Sequence, residues 1–152
     1  MALTEFYRPR DNAYQAEYPG RSQVQLDANV SAGKGGMICV SQTGGNAGYG
    51  VTPSATYSNT NGVIAGVVED EADNTGGAAG AATVTAVPGV YRFLNSGTHP
   101  CSQATVGAKV YASDAQTIST NSGDGPFAGT LKEFNASDLL GLPCKVTIRA
   151  FQ

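Results

Sequence analysis

The chain has 152 residues and 15.5 kDa, the usual size of one domain. Gly is 20 of 152, about twice ordinary usage, while charged residues are only 14% and the net charge is −3. That balance gives no electrostatic reason to bind a phosphate backbone, and the glycines lack the G-X-Y period of collagen. No stretch approaches the roughly 18 apolar residues that a bilayer span needs, so neither nucleic acid nor membrane is an expected partner.

Leu, Ile, Val and Phe supply 29 of 152 residues, a thin apolar complement, but without the high net charge that accompanies disorder. An ordered, turn-rich domain with a small core is expected. Residues 1–34 mix four basic and four acidic side chains, residues 35–91 contain no Lys or Arg, and both signs return from Arg92 onward.

Met1 to Arg10 carries Glu5, Arg8 and Arg10 with no apolar run behind it, so it does not read as a signal peptide, and a chain made in a reducing cytosol is expected. Residues 1–22 show neither a helical nor a strand period, and Pro9 and Pro19 push their preceding residues toward extended backbone. They read as an extended arm. Tyr7, Tyr14 and Tyr18 with Arg8, Arg10 and Arg21 are the residue types that anchor interfaces, so these six are the expected interface contacts.

Residues 23–152 read as a single β-rich domain. Val24 to Ala28 alternates as a half-buried strand should, and Asn29 to Gly36 is a turn before the apolar run Met37 to Val40. Gly44 to Asn61 is loop-like. Val63 to Val68 has strand length and ends in the acidic cluster Glu69, Asp70, Glu71 and Asp73, read as a solvated turn that protects a sheet edge. Asp73 to Ala82 is a small-residue loop that lacks both a G-K-[ST] ending and G-x-G-x-x-G spacing, so a phosphate cradle is not expected. Thr83 to Val87 alternates, Pro88-Gly89 signals a turn, and Val90 to Leu94 begins another strand.

Val106 to Ala112 is a turn feeding a strand, with Gln116 to Thr120 as its hairpin partner. Phe127 to Leu131 is a further strand. Asn135 to Leu140 is the one expected helical turn, capped by Asn135 or Ser137. Cys144 to Ala150 alternates strictly. Short strands every 8–12 residues between Gly-rich turns predict an all-β fold, a sandwich or small barrel.

Chemistry is sparse. The single histidine, His99, precedes a proline in a polar loop and has no clustered base, nucleophile or ligand set beside it. The acidic cluster lacks the calcium-loop pattern. No enzyme activity and no cofactor or metal is expected. Cys39, Cys101 and Cys144 cannot all pair within one chain. Buried thiols acting as small hydrophobes are the first reading, and a single Cys101–Cys144 disulfide is the alternative.

Several segments in order resemble the head decoration, or capsid cement, proteins of tailed bacteriophages. Val30-Ser31-Ala32-Gly33 leads a buried strand, Ile64 to Ala72 follows a V-x-G-V-x-x-x-x-A type, and Gly89-Val90-Tyr91-Arg92-Phe93 is a Gly-Val-aromatic strand. Val106-Gly107-Ala108-Lys109-Val110-Tyr111 then precedes a hairpin at Ala115 to Thr120, and Ala128 to Leu131 and Val146 to Phe151 close the series. The likeness spans roughly residues 24–152, and the chain departs from it in a longer N-terminal arm and the inserted loop Gly44 to Asn61. It implies a structural virion protein with a β-tulip or jelly-roll-like domain on the outer capsid surface, made in the host cytoplasm, with the major capsid protein and itself as partners, a homotrimer first and a dimer second. It also implies the six arm residues as the capsid or subunit contacts. A carbohydrate- or receptor-binding β module of a tail or fibre is the alternative.

Overall fold

The computed structural model describes residues 20–149 and 151. Twelve strands are formed by the described residues: β1 Ser22–Gln25, β2 Ser31–Ala32, β3 Met37–Ser41, β4 Gly50–Val51, β5 Gly62–Asp70, β6 Ala72–Asp73, β7 Thr83–Val87, β8 Gly89–Asn95, β9 Lys109–Ala112, β10 Thr117–Ser119, β11 Phe127–Phe134 and β12 Cys144–Ile148. Three single turns of 3₁₀ helix, at Gly44–Asn46, Ala55–Tyr57 and Gln103–Thr105, are the only helical geometry among them. The expected all-β barrel is what these residues form.

The first half of the chain makes an open sheet in the order β1-β7-β5-β3-β4, with β2 and β6 pairing as a small ribbon beside it. The second half closes a five-stranded barrel in the order β9-β10-β8-β12-β11, sealed where β9 meets β11. Its ladders are antiparallel except β10–β8, where Thr117 pairs Leu94 and Ile118 pairs Asn95 in parallel. Pro88 alone separates β7 from β8, so the chain passes from sheet to barrel within one residue. The Tyr91 hydroxyl braces that corner by donating to the Val87 carbonyl at 3.1 Å.

Alternation decides the barrel interior. Cys144, Val146 and Ile148 point inward along β12, joined by Phe93, Val110, Ala112, Ile118, Ala128 and Leu131. Met37, Cys39, Val51, Ile64 and Val67 of the sheet complete this core, so the barrel packs on one sheet face. The opposite sheet face buries Val24, Leu26, Ile38, Val40, Ala65, Val68, Val84 and Ala86. β3 is therefore buried on both sides, which explains its unbroken apolar run.

Facing Ile64 and Val67 to one core, three residues apart, breaks strict alternation. The break is a β-bulge: Ile38 pairs Gly66 while the next residue, Cys39, pairs Ile64, which leaves Ala65 as the extra residue. Gly66 takes a φ of 148°, and a Cβ there would lie 2.8 Å from the Val87 backbone nitrogen. Only glycine fits that crossing.

Several sequence expectations shift in detail. The strand expected at Val24 to Ala28 starts earlier, at Ser22, and stops at Gln25, because Leu26 bridges Gly50 and Asp27 turns the chain by donating its N–H to the Gly50 carbonyl. The Gly44 to Asn61 loop contributes β4 to the sheet edge through Val40–Gly50 and Cys39–Val51 pairing, and glycine at 50 leaves room for Val24, which an added Cβ would approach to 2.8 Å. Asn135 to Leu140 is not helical. Asn135 Oδ1 accepts from the Ser137 N–H, and Asp138 Oδ2 accepts from the N–H groups of Leu140 and Leu142, so side chains satisfy the amides that a helix would use. Leu139 and Leu140 point to solvent, leaving that segment no apolar face to bury as a helix.

Candidate functional site: an interaction surface on the barrel wall

Of the six expected contact residues, Tyr7, Arg8, Arg10, Tyr14 and Tyr18 lie outside the described residues. Arg21 is described, just ahead of β1, and its guanidinium forms an ion pair with Glu69 at the end of β5. The chain reaches that point past Gly20, where an added Cβ would lie 2.8 Å from Pro88. Beside it opens a cleft of about 270 Å³ lined by Val67, Val68, Val87 and Tyr91, with Lys34 and Glu69 among its walls.

The acidic cluster separates into individual roles. Glu69 pairs with Arg21, while Asp73 accepts from Ser31 Oγ at 2.5 Å and from the Thr75 hydroxyl and backbone N–H. Those donors, Ser31 first, hold the Asp73 carboxyl at about 2. Asp70 and Glu71 are exposed, and among the described residues no group of three or more His, Cys, Asp or Glu could hold a metal ion. The small-residue loop that follows is organised by Asn74, whose buried amide donates to the carbonyls of Asp27 and Ala78 at 2.8 and 3.0 Å.

His99 has a partner that sequence spacing hides. Its Nδ1 lies 2.8 Å from Asp124 Oδ2, the same oxygen that accepts from Ser119 Oγ at 2.5 Å. Asn121 donates to the other carboxylate oxygen, and Ser119, then His99, hold Asp124 below the ordinary carboxylate range. Serine, histidine and aspartate thus meet, but the hydroxyl binds the carboxylate rather than the imidazole and is fully buried. A nucleophile needs the opposite arrangement, with its hydroxyl on the ring nitrogen. The cluster clips two loops together, reinforced by the Thr120 N–H donating to the His99 carbonyl at 3.0 Å.

The outer wall of the barrel carries the more informative feature. Along β8, Tyr91 and Phe93 belong to the interior, while Val90, Arg92 and Leu94 alternate outward. Val90 and Leu94 are 49% and 41% exposed. Between them Arg92 meets Glu133 of β11 at 2.6 Å, and Lys145 of β12 reaches the same carboxylate at 3.1 Å. Lys145 first, then Arg92, keeps Glu133 below its usual range. Arg92 Nη1 also lies 3.7 Å from Asp138 Oδ1, an ion pair too long to be a hydrogen bond.

That contact brings the 135–143 turn against the wall, with Leu139 and Leu140 at its tip, 100% and 80% exposed. Apolar residues on β8 and at the leucine tip thus flank a charged cluster of Arg92, Glu133, Lys145 and Asp138. Leu139 and Leu140 fall in the segment expected to be a helical turn, yet its Asn-x-Ser-Asp start followed by Gly141 is also a turn signature that leaves them exposed.

Compared with models of known families, with curated proteins and with solved structures, the chain finds no significant match.

Proposed function

We propose that this protein is a structural virion component that attaches to the outer surface of a phage capsid and cements its lattice, as a homotrimer and without catalysis. The observation that carries the reading is the order of the resembling segments along the sequence, from Val30–Gly33 to Val146–Phe151. The attachment face is the outer wall of β8 with the leucine tip. Each leucine left in water forgoes roughly 1.5–3 kcal/mol that burial against a shell would recover. The surrounding ionic cluster supplies the polar rim that such contacts carry. Contacts of this size are individually weak and gain strength when three linked copies engage one lattice point.

Co-sedimentation with purified shells stripped of their cement tests this directly, run beside a glycan array. Pelleting with shells and silence on the array supports the reading. Glycan binding without shell binding would assign the chain instead to a carbohydrate- or receptor-binding module of a tail or fibre.

A further inference from the structure

Two of the three cysteines share a local design. Cys101 follows Pro100 and Cys144 follows Pro143, so a fixed φ precedes each thiol and less chain freedom remains to be lost in placing it. Cys144 opens β12 inside the barrel, opposite Phe93 of β8 and Phe134 of β11. Cys101 is clamped to the end of the same β8 strand: its N–H donates to Asn95 Oδ1 at 2.7 Å, and Asn95 Nδ2 donates back to its carbonyl at 3.0 Å. Phe93 and Asn95 are two residues apart on one strand, roughly 7 Å along it.

The loop between Asn95 and Cys101 is itself tied down. Ser96 donates its N–H to the Ile118 carbonyl and accepts from the N–H groups of Thr98 and His99, and His99 is clipped to Asp124. Both thiols are buried in the barrel core, near enough that each perturbs the other's ionisation. Cys39 differs. It is buried in the sheet, contacts the Val40 carbonyl at 3.8 Å, and burial pushes its thiol up to about 12.

We propose that Cys101 and Cys144 form an oxidisable dithiol, a covalent modification site at which a small disulfide such as oxidised glutathione fastens the 96–102 loop to the first residue of β12. Cys101 is the attacking group. Its flanking residues Pro100 and Ser102 are exposed, and the neighbouring Cys144 thiol favours its thiolate, whereas Cys101 and burial disfavour ionisation of Cys144. The Cys101 thiolate displaces one glutathione thiolate to give a mixed disulfide. Cys144 then loses its proton to solvent and attacks Cys101 Sγ, releasing the second glutathione. Two thiols are oxidised and one glutathione disulfide is reduced to two glutathiones.

The test takes the full chain, equilibrated in reduced or in oxidised glutathione up to temperatures just below melting, then denatured, alkylated and mapped. Three alkylatable thiols per chain are expected after reduction and one, Cys39, after oxidation. The oxidised chain should be lighter by two hydrogens, with the Cys101 and Cys144 peptides linked. Closing the 101–144 loop should raise the melting temperature by roughly 5–15 °C. Cys39→Ala should oxidise like the wild type, and Cys144→Ala should keep both remaining thiols free or carry glutathione on Cys101. Should Cys144→Ala fail to fold, the wild-type thiol count and peptide map decide alone. Three free thiols after oxidation, a link involving Cys39, a link between chains, or a lasting mixed disulfide on wild-type Cys101 would each overturn the proposal.

Discussion

Replacing Gly66 by alanine probes how the sheet is joined at its bulge. A Cβ at this position would stand 2.8 Å from the Val87 nitrogen and 3.0 Å from its carbonyl carbon and oxygen. These are backbone atoms of a paired strand, so no rotamer change can relieve the contact. At a φ of 148° the alanine is strained as well. Overpacking of roughly 1–3 kcal/mol and backbone strain of roughly 1–2 kcal/mol give a loss of about 2–5 kcal/mol. For a chain of this size that lowers the melting temperature by roughly 5–15 °C. Gly33→Ala is the internal control, because an added Cβ there meets nothing within 4 Å and its φ is not positive. That variant should be neutral or gain up to about 1 kcal/mol. Circular dichroism melts at matched protein concentration make the comparison, since self-association shifts apparent stability. If Gly66→Ala melted within about 2 °C of the wild type, the close β5–β7 crossing would not be the constraint argued here.

Three further outcomes are expected. Asp73, held at about 2 against an ordinary 3.8, contributes stability that is present above pH ~4 and lost as pH falls toward 2; carboxyl NMR should place its midpoint near the lower value, and a midpoint near the ordinary one would reject the Ser31–Thr75 cradle. Changing Leu139 and Leu140 together to Asp should leave the melting temperature within a few degrees, because both side chains are solvent-exposed, yet strongly weaken shell co-sedimentation. Deleting residues 2–19 should leave a folded domain, since the sheet begins at Ser22, while weakening shell attachment, with Tyr14→Ala producing part of that loss; equal binding by the truncated chain would refute the arm's role.

Alternating strands were legible from their residues: Thr83 to Val87 and Cys144 to Ile148 form strands where the alternation lies. The β9–β10 hairpin was legible too, with Tyr111 opposite Ser119. Where a residue's partner is distant in sequence, reading the chain fails. Nothing local in His99 points to Asp124, 25 positions on, nor does anything in Arg92 point to Glu133, 41 on. The bulge at Gly66 was equally hidden, because a glycine inside an apolar run looks like any small residue until the opposing backbone is in place. Local propensity misread Asn135 to Leu140, since the same Asn and Asp that cap a helix also close turns on their own.

A final consequence concerns how the molecule comes apart. β3 is a wall of both cores, giving Met37 and Cys39 to one and Ile38 and Val40 to the other. Neither lobe can lose its packing without stripping one side of that strand, and β5, its partner, gives residues to both cores in the same way. The two lobes should therefore melt in one cooperative transition despite their separate hydrogen-bonded ladders. Amide exchange should be slowest at the shared β3–β5 ladder, opening only with global unfolding, while the leucine turn exchanges freely.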